Sequence, residues 1–197
     1  MKRKAGTLLL IAALAFCPAA LSEVSVGTLE RVEASPNQKV ALRTGPGTKY
    51  TEVFTLSQGQ MRDFAILEQE KGGSVMWGMI EFDSDYGRYR AYTGMKRIDT
   101  KTSDVPYGNK EGEVYTIGKG GAHAYHGPGK DYVKMEKTVP EGTEITVYHE
   151  EQGYVLADYV LPDAEPQQRD KELPQVTRGW IRASAVRGYR ASTSEGK

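Results

Sequence analysis

Gly45-Pro46-Gly47 returns 82 residues later as Gly127-Pro128-Gly129, and each triplet is followed three residues on by a tyrosine, Tyr50 and Tyr132. One Gly-Pro-Gly is an ordinary turn, but further landmarks keep the same order. Gln58-Gly59 is answered by Glu141-Gly142. Trp77–Phe82 aligns with Tyr154–Tyr159 at an offset of 77, and Ala91–Ile98 with Gly179–Val186 at an offset of 88. Order that survives while spacing drifts is the mark of a duplicated unit with changes in its surface loops. The 197 residues therefore read as two small units, residues 24–99 and 112–190. Between them, residues 100–111 (TKTSDVPYGNKE) are polar and aperiodic and read as a linker. Residues 191–197 have nothing to bury and read as a frayed tail.

The local signals in each copy are those of strands. Ile145 and Val147 alternate with polar neighbours at period two. Val155, Ala157, Tyr159 and Leu161 alternate with Tyr154, Leu156, Asp158 and Val160, so both faces of that strand are largely apolar and a central position is expected. Glycine-rich turns recur at intervals of about ten residues, among them Gly72-Gly73, Gly120-Gly121 and the Asp83-Ser-Asp85 tip. The chain has 22 glycines. Around the prolines of Gly-Pro-Gly they are expected to supply the positive φ of a reversing loop. Outside the amino terminus no segment keeps a helical period. The fold class is all-β, with one small barrel per copy. Residues 162–175 (PDAEPQQRDKELPQ) interrupt the second copy as a long exposed loop.

Lys2, Arg3 and Lys4 precede an apolar run from Leu8 to Phe16, and Pro18, Ala19, Ala20 and Ser22 follow. That is the order of a secretory signal, with cleavage expected after Ser22. Leu14-Ala15-Phe16-Cys17 loosely resembles a lipobox, but bulky Phe16 stands where a small residue is wanted. The run is too short for a bilayer span, which takes about 20 residues. Removing the signal takes three of the 26 basic residues and leaves 23 against 26 acidic ones. It also removes the single cysteine. These numbers argue against a phosphate-neutralising nucleic-acid binder, a disulfide framework and a thiol nucleophile.

Val40-Ala-Leu-Arg-Thr-Gly-Pro-Gly47 with Tyr50, and Gly179-Trp180-Ile181 with Ser184 and Val186, resemble the opening and closing patterns of the bacterial SH3-like (SH3b) domain. The first copy departs at its end, with Ala91-Tyr92-Thr93 in place of Gly-Trp-Val, and the second at its start, with Tyr125-His126 in place of Arg-Ser. The resemblance implies two SH3-like β-barrels in tandem after a cleaved signal peptide, in an exported protein of a bacterial cell envelope. It further implies a non-catalytic module that docks on cell-wall peptidoglycan or binds a short peptide. An envelope scaffold that binds a protein partner is the alternative. No cofactor, no nucleic acid and no membrane span are expected.

Aromatic residues are the candidate ligand contacts, because an SH3-type fold offers a shallow aromatic groove. They are Tyr50, Trp77, Tyr86 and Tyr89 in the first copy, and Tyr125, Tyr132 and Tyr154 in the second. Each has core or rim packing as its competing role. Trp180 and Tyr92, on closing strands, are read as packing. His126 joins the candidates because it stands just before the Gly-Pro-Gly loop. His123 and His126 share no helix face and have no third ligand type at metal spacing, so no metal site is expected. Glu81, Asp83 and Asp85 form no convincing acid/base pair, since Asp-Ser-Asp is a good hairpin tip. No Gly-x-Ser-x-Gly motif is present, and no catalytic residue is assigned. Arg88, Arg90, Lys96 and Arg97 are read as a solvated basic strand pair.

Overall fold

A computed structural model describes residues 31–34, 39–57, 62–97, 107–108, 111–167 and 170–190. The expected signal segment, the Gln58-Gly59 turn and the tail lie outside the described residues. Two β-sheets follow one another along the chain, and no α-helix occurs among the described residues. The first holds β1 (Arg31–Ala34), β2 (Val40–Arg43), β3 (Glu52–Leu56), β4 (Arg62–Gly72), β5 (Val75–Ser84), β6 (Gly87–Gly94) and β7 (Tyr107–Gly108). The second holds β8 (Glu113–Ile117), β9 (Ala122–Tyr125), β10 (Lys134–Val139), β11 (Glu144–Glu151), β12 (Tyr154–Tyr159), β13 (Thr177–Arg182) and β14 (Val186–Arg187).

Spatial order is β3-β2-β6-β5-β4-β1 in the first sheet and β10-β9-β13-β12-β11-β8 in the second, with β14 beyond β8. Strand for strand the orders coincide. A short 3₁₀ turn follows β6 at Met95–Arg97 and its counterpart β13 at Ala183–Ala185. Pairing is antiparallel throughout except at β7, which runs parallel to β4 opposite Gln69 and Glu70. Part of the segment read as linker is therefore an edge strand of the first sheet. Among the described residues, each ladder runs from edge to edge and neither closes into a ring.

β12 is central in its sheet, and every residue from Tyr154 to Tyr159 is buried. Its inner face, Val155, Ala157 and Tyr159, packs in the core of its own sheet with Ile145, Val147 and Ile181. β5 does the same in the first sheet through Ile80 and Phe82, beside Leu42 and Phe64. The outer faces would meet water in a lone sheet. Here Trp77, Met79 and Tyr92 of the first sheet pack directly on Tyr154, Leu156 and Trp180 of the second. Each large apolar side chain so buried contributes roughly 1.5–3 kcal/mol. The doubly apolar pattern thus records a third core, shared between the two units.

The Gly-Pro-Gly loops have the same backbone bonding. Gly47 N donates to Gly45 O and Gly129 N to Gly127 O, both at 2.9 Å, while Thr44 N donates to Thr51 O and His126 N to Val133 O, also at 2.9 Å. The reason for their glycines differs from the one expected. None of the four lies at positive φ. A Cβ on Gly45 would run into the ring of Tyr50, and one on Gly127 into the ring of Tyr132. Close approach of the following tyrosine, not chain reversal, requires the first glycine of each triplet.

Candidate functional site

The tyrosine folded over each loop reaches across to the other unit. Tyr50 donates its hydroxyl to Asp158 Oδ2 at 2.6 Å, and Arg178 Nε donates to Asp158 Oδ1 at 2.6 Å. Tyr132 donates to Glu81 Oε2 at 2.6 Å, and Arg90 Nε donates to the same oxygen at 2.9 Å. Asp158 and Glu81 are counterparts in β12 and β5, as are Arg178 and Arg90 in β13 and β6. Each guanidinium then turns to an acid from the unit that supplied the tyrosine. Arg178 reaches Glu70 at 2.9 Å, and Arg90 reaches Glu151 at 2.8 and 3.0 Å. Arg178 also stands 5.1 Å from the Tyr50 ring and 5.5 Å from Tyr92, while Arg90 stands 5.3 Å from Tyr132 and 5.4 Å from Trp180. Backbone contacts repeat the exchange: Thr51 N donates to Val176 O and Val133 N to Arg88 O, each at 2.9 Å. Residue i of one unit meets j of the other and the reverse, which is the pattern of an isologous interface.

Electrostatics keep these latches formed. Burial first, and hydrogen bonding to Glu81 second, raise the Tyr132 hydroxyl to about 12. Burial also raises Tyr50, although the Arg178 charge opposes it. Both remain donors in neutral solution. Burial works against the Glu151 carboxylate, yet His149 and Arg90 hold it down to about 2. The Arg178 side chain is only 2% exposed with its acids at 10%, whereas Glu81 and Glu151 are at 16% and 23% beside Arg90. The first latch is the drier one.

The aromatic candidates are divided by this arrangement. Tyr50, Trp77, Tyr132 and Tyr154 are buried between the units. Their rings are occupied by the other half of the chain and do not line an open groove. Tyr125 is half-buried, edge-on to Tyr154 at 5.8 Å. Tyr89 stacks on Phe82 at 5.6 Å and meets His126 of the other unit at 4.7 Å. Burial lowers His126 to about 4. Tyr86 is set apart, 78% exposed at the β5–β6 tip. Of the basic group, Arg90 is spent on the latch, while Arg88 pairs with Asp83 at 3.2 Å on the surface. Asp85 lies in the hairpin turn, and Glu81 belongs to the second latch. Arg178, Asp158, Glu70 and Glu151 were not singled out in the sequence. The signal was available: acid and arginine recur at matching places in both copies.

One open cleft adjoins the first latch. Its volume is about 750 Å³, and Glu144, Thr146 and Tyr148 of β11, the 160–176 connection and Lys49 line it. Tyr148 donates to Asp158 Oδ2 at 2.8 Å, and burial followed by the Asp158 charge raises its hydroxyl to about 12. Among the described residues no cluster of His, Cys, Asp and Glu could hold a metal ion, and no helix is long and apolar enough to cross a membrane. Compared with protein-family models, curated proteins and solved structures, the chain matches none.

Proposed function

We propose that the mature chain is an exported, non-catalytic binding protein made of two bacterial SH3-like domains, and that it docks on cell-wall peptidoglycan or a short peptide. The observation that carries this reading is the duplicated Gly-Pro-Gly-x-x-Tyr loop, with the closing Gly179-Trp180 strand of the second copy, set on one shared strand order. Support comes also from the division of labour among aromatics. With Tyr50 and Tyr132 engaged between the units, ligand contact falls to the cleft beside Tyr148 and Lys49. The test is co-sedimentation of the mature chain with purified peptidoglycan. Retention is expected, and a chain left wholly in the supernatant would overturn the wall-binding reading.

The second reading, an envelope scaffold for a protein partner, is favoured by Tyr86, a large aromatic held 78% exposed on a hairpin tip. Tyrosine is among the residue types enriched at the energetic centres of protein interfaces. Under that reading Tyr86→Ala abolishes crosslinking to an envelope protein and leaves thermal stability unchanged. Unaltered crosslinking would remove it.

A further inference from the structure

A tight turn and a long connection occupy equivalent places in the two units. β5 and β6 are joined by Asp85–Tyr86, and their counterparts β12 and β13 by residues 160–176. The tight turn presents an open ring. Tyr86 is 78% exposed, while Ser84 Oγ accepts from Tyr86 N at 3.1 Å and donates to Gly87 O at 3.0 Å. The turn is held in shape, so a partner meets the ring without first ordering its backbone. Arg88 already engages Asp83 at 3.2 Å, which leaves Asp85, exposed beside the ring, as the outward charge of the tip.

The long connection has built the converse surface. Its end is fixed to the first unit, where Val176 N donates to Lys49 O at 3.0 Å, and it walls the cleft of about 750 Å³. The pairing of Tyr159 with Thr177 sets Val160 beside Val176 in the lining. Their counterparts in the first unit are Asp83 and Arg88, cross-strand partners joined by the ion pair of the tip. Lys49 likewise stands where the other Gly-Pro-Gly loop has Asp131. A surface that is polar in one unit has become an apolar floor in the other, with Val160 left 38% exposed. Leu161, Pro162 and Pro174 add apolar sides. Tyr148 lines the same cleft and donates its hydrogen to Asp158, so its oxygen is left as an acceptor. An apolar floor, a hydroxyl acceptor and an exposed ammonium suit an aromatic hydroxyl with a carboxylate beside it. The tip carries both.

We propose that the Tyr86 tip of one molecule inserts into this cleft on a second molecule of the same chain. The ring lies on Val160 and Val176, its hydroxyl donates to Tyr148, and Asp85 faces Lys49. Each chain has one such tip and one such cleft, at different places, so the contact is heterologous. A buried tyrosine covers roughly 150–250 Å². The contact is therefore weak, with a dissociation constant on the order of 0.1–1 mM. This association goes beyond both readings above and depends on neither.

Sedimentation equilibrium over a concentration series that reaches about 1 mM tests it. The mean mass should rise with concentration. Tyr86→Ala should weaken the association by about thirtyfold, as loss of an interface anchor does. Val160→Asp with Val176→Arg transplants the Asp83–Arg88 pair into the cleft and should weaken it as much. Cooperative melting establishes that the variants are folded. Mixed in equal amounts, these two variants should form a dimer and nothing larger, since one keeps its cleft and the other its tip. Lys49→Glu and Asp85→Lys should each weaken the contact by about fivefold, and mixing them should restore it. A protein that stays monomeric, variants that associate like the wild type, or a monomeric mixture would overturn the proposal. The readings fail separately. A monomer that still crosslinks through Tyr86 to another envelope protein removes this contact and keeps the scaffold; a monomer retained on peptidoglycan removes it and keeps wall docking.

Discussion

The glycine that opens each Gly-Pro-Gly triplet lies beneath a tyrosine ring, and the glycine that closes it does not. A Cβ on Gly129 would lie 3.8 Å from the Tyr132 ring, an ordinary contact, whereas one on Gly127 would overlap it. Gly127→Ala should therefore cost about 1–3 kcal/mol in urea unfolding, as overpacking does, and Gly129→Ala well under 1 kcal/mol. Equal costs would show that backbone freedom, not ring contact, fixes the glycine. His126 supplies a second test. Its folded pKa is about 4 against an ordinary 6.5, because burial disfavours the charged ring. The unfolded chain binds the extra proton first, so this contribution is complete above pH 6.5 and is lost as pH falls toward 4. Glu151, held near 2 in place of 4.5, adds a separate loss between those values. The urea midpoint should fall through both windows. His126→Asn should flatten the upper one and Glu151→Gln the lower.

Strands β6 and β13 each carry an arginine that joins two acids from different units, and the cost of losing it follows from burial. Arg178→Met would strand Asp158 and Glu70, both 10% exposed, and should cost about 3–5 kcal/mol. Tyr50→Phe removes one donor to Asp158 and leaves Arg178 and Tyr148 in place, so a loss of about 1.5–3 kcal/mol is expected in the same denaturant titration. An Arg178→Met loss no greater than that of Tyr50→Phe would mean that the pair is not the keystone of the interface. Much of this could be read from the amino acids, and the remainder could not for a definite reason. Alternation in β11 and both apolar faces of β12 gave the strands and the central position directly. The same two faces also recorded a second contact surface, but periodicity reports that a side chain is hidden and not what hides it. Tyr50 and Tyr132 were ambiguous on that account: a ligand and the other half of the chain call for the same aromatic residue. The 160–176 connection carried no period, and its role depends on where Val176 lands.

Three cores in series, one in each sheet and one between them, make the molecule a single thermodynamic body. The outer faces of β5 and β12 are too apolar to be left in water, so neither sheet is finished without the other. Calorimetric unfolding of the chain should give one transition, with calorimetric and van't Hoff enthalpies in agreement. Arg178→Met should shift that transition as a whole, and two resolved peaks would show independent units. The small strand β7 bears on what happens when the interface opens. With Tyr107 and Gly108 paired to β4, only residues 109–112 lead from the first sheet to β8. A leash that short keeps separated halves at an effective concentration in the millimolar range or above. Opening is then followed by recapture of the same half, long before a second molecule arrives to trade places with it. The leash, as much as the latches, keeps the duplicated faces paired within one molecule.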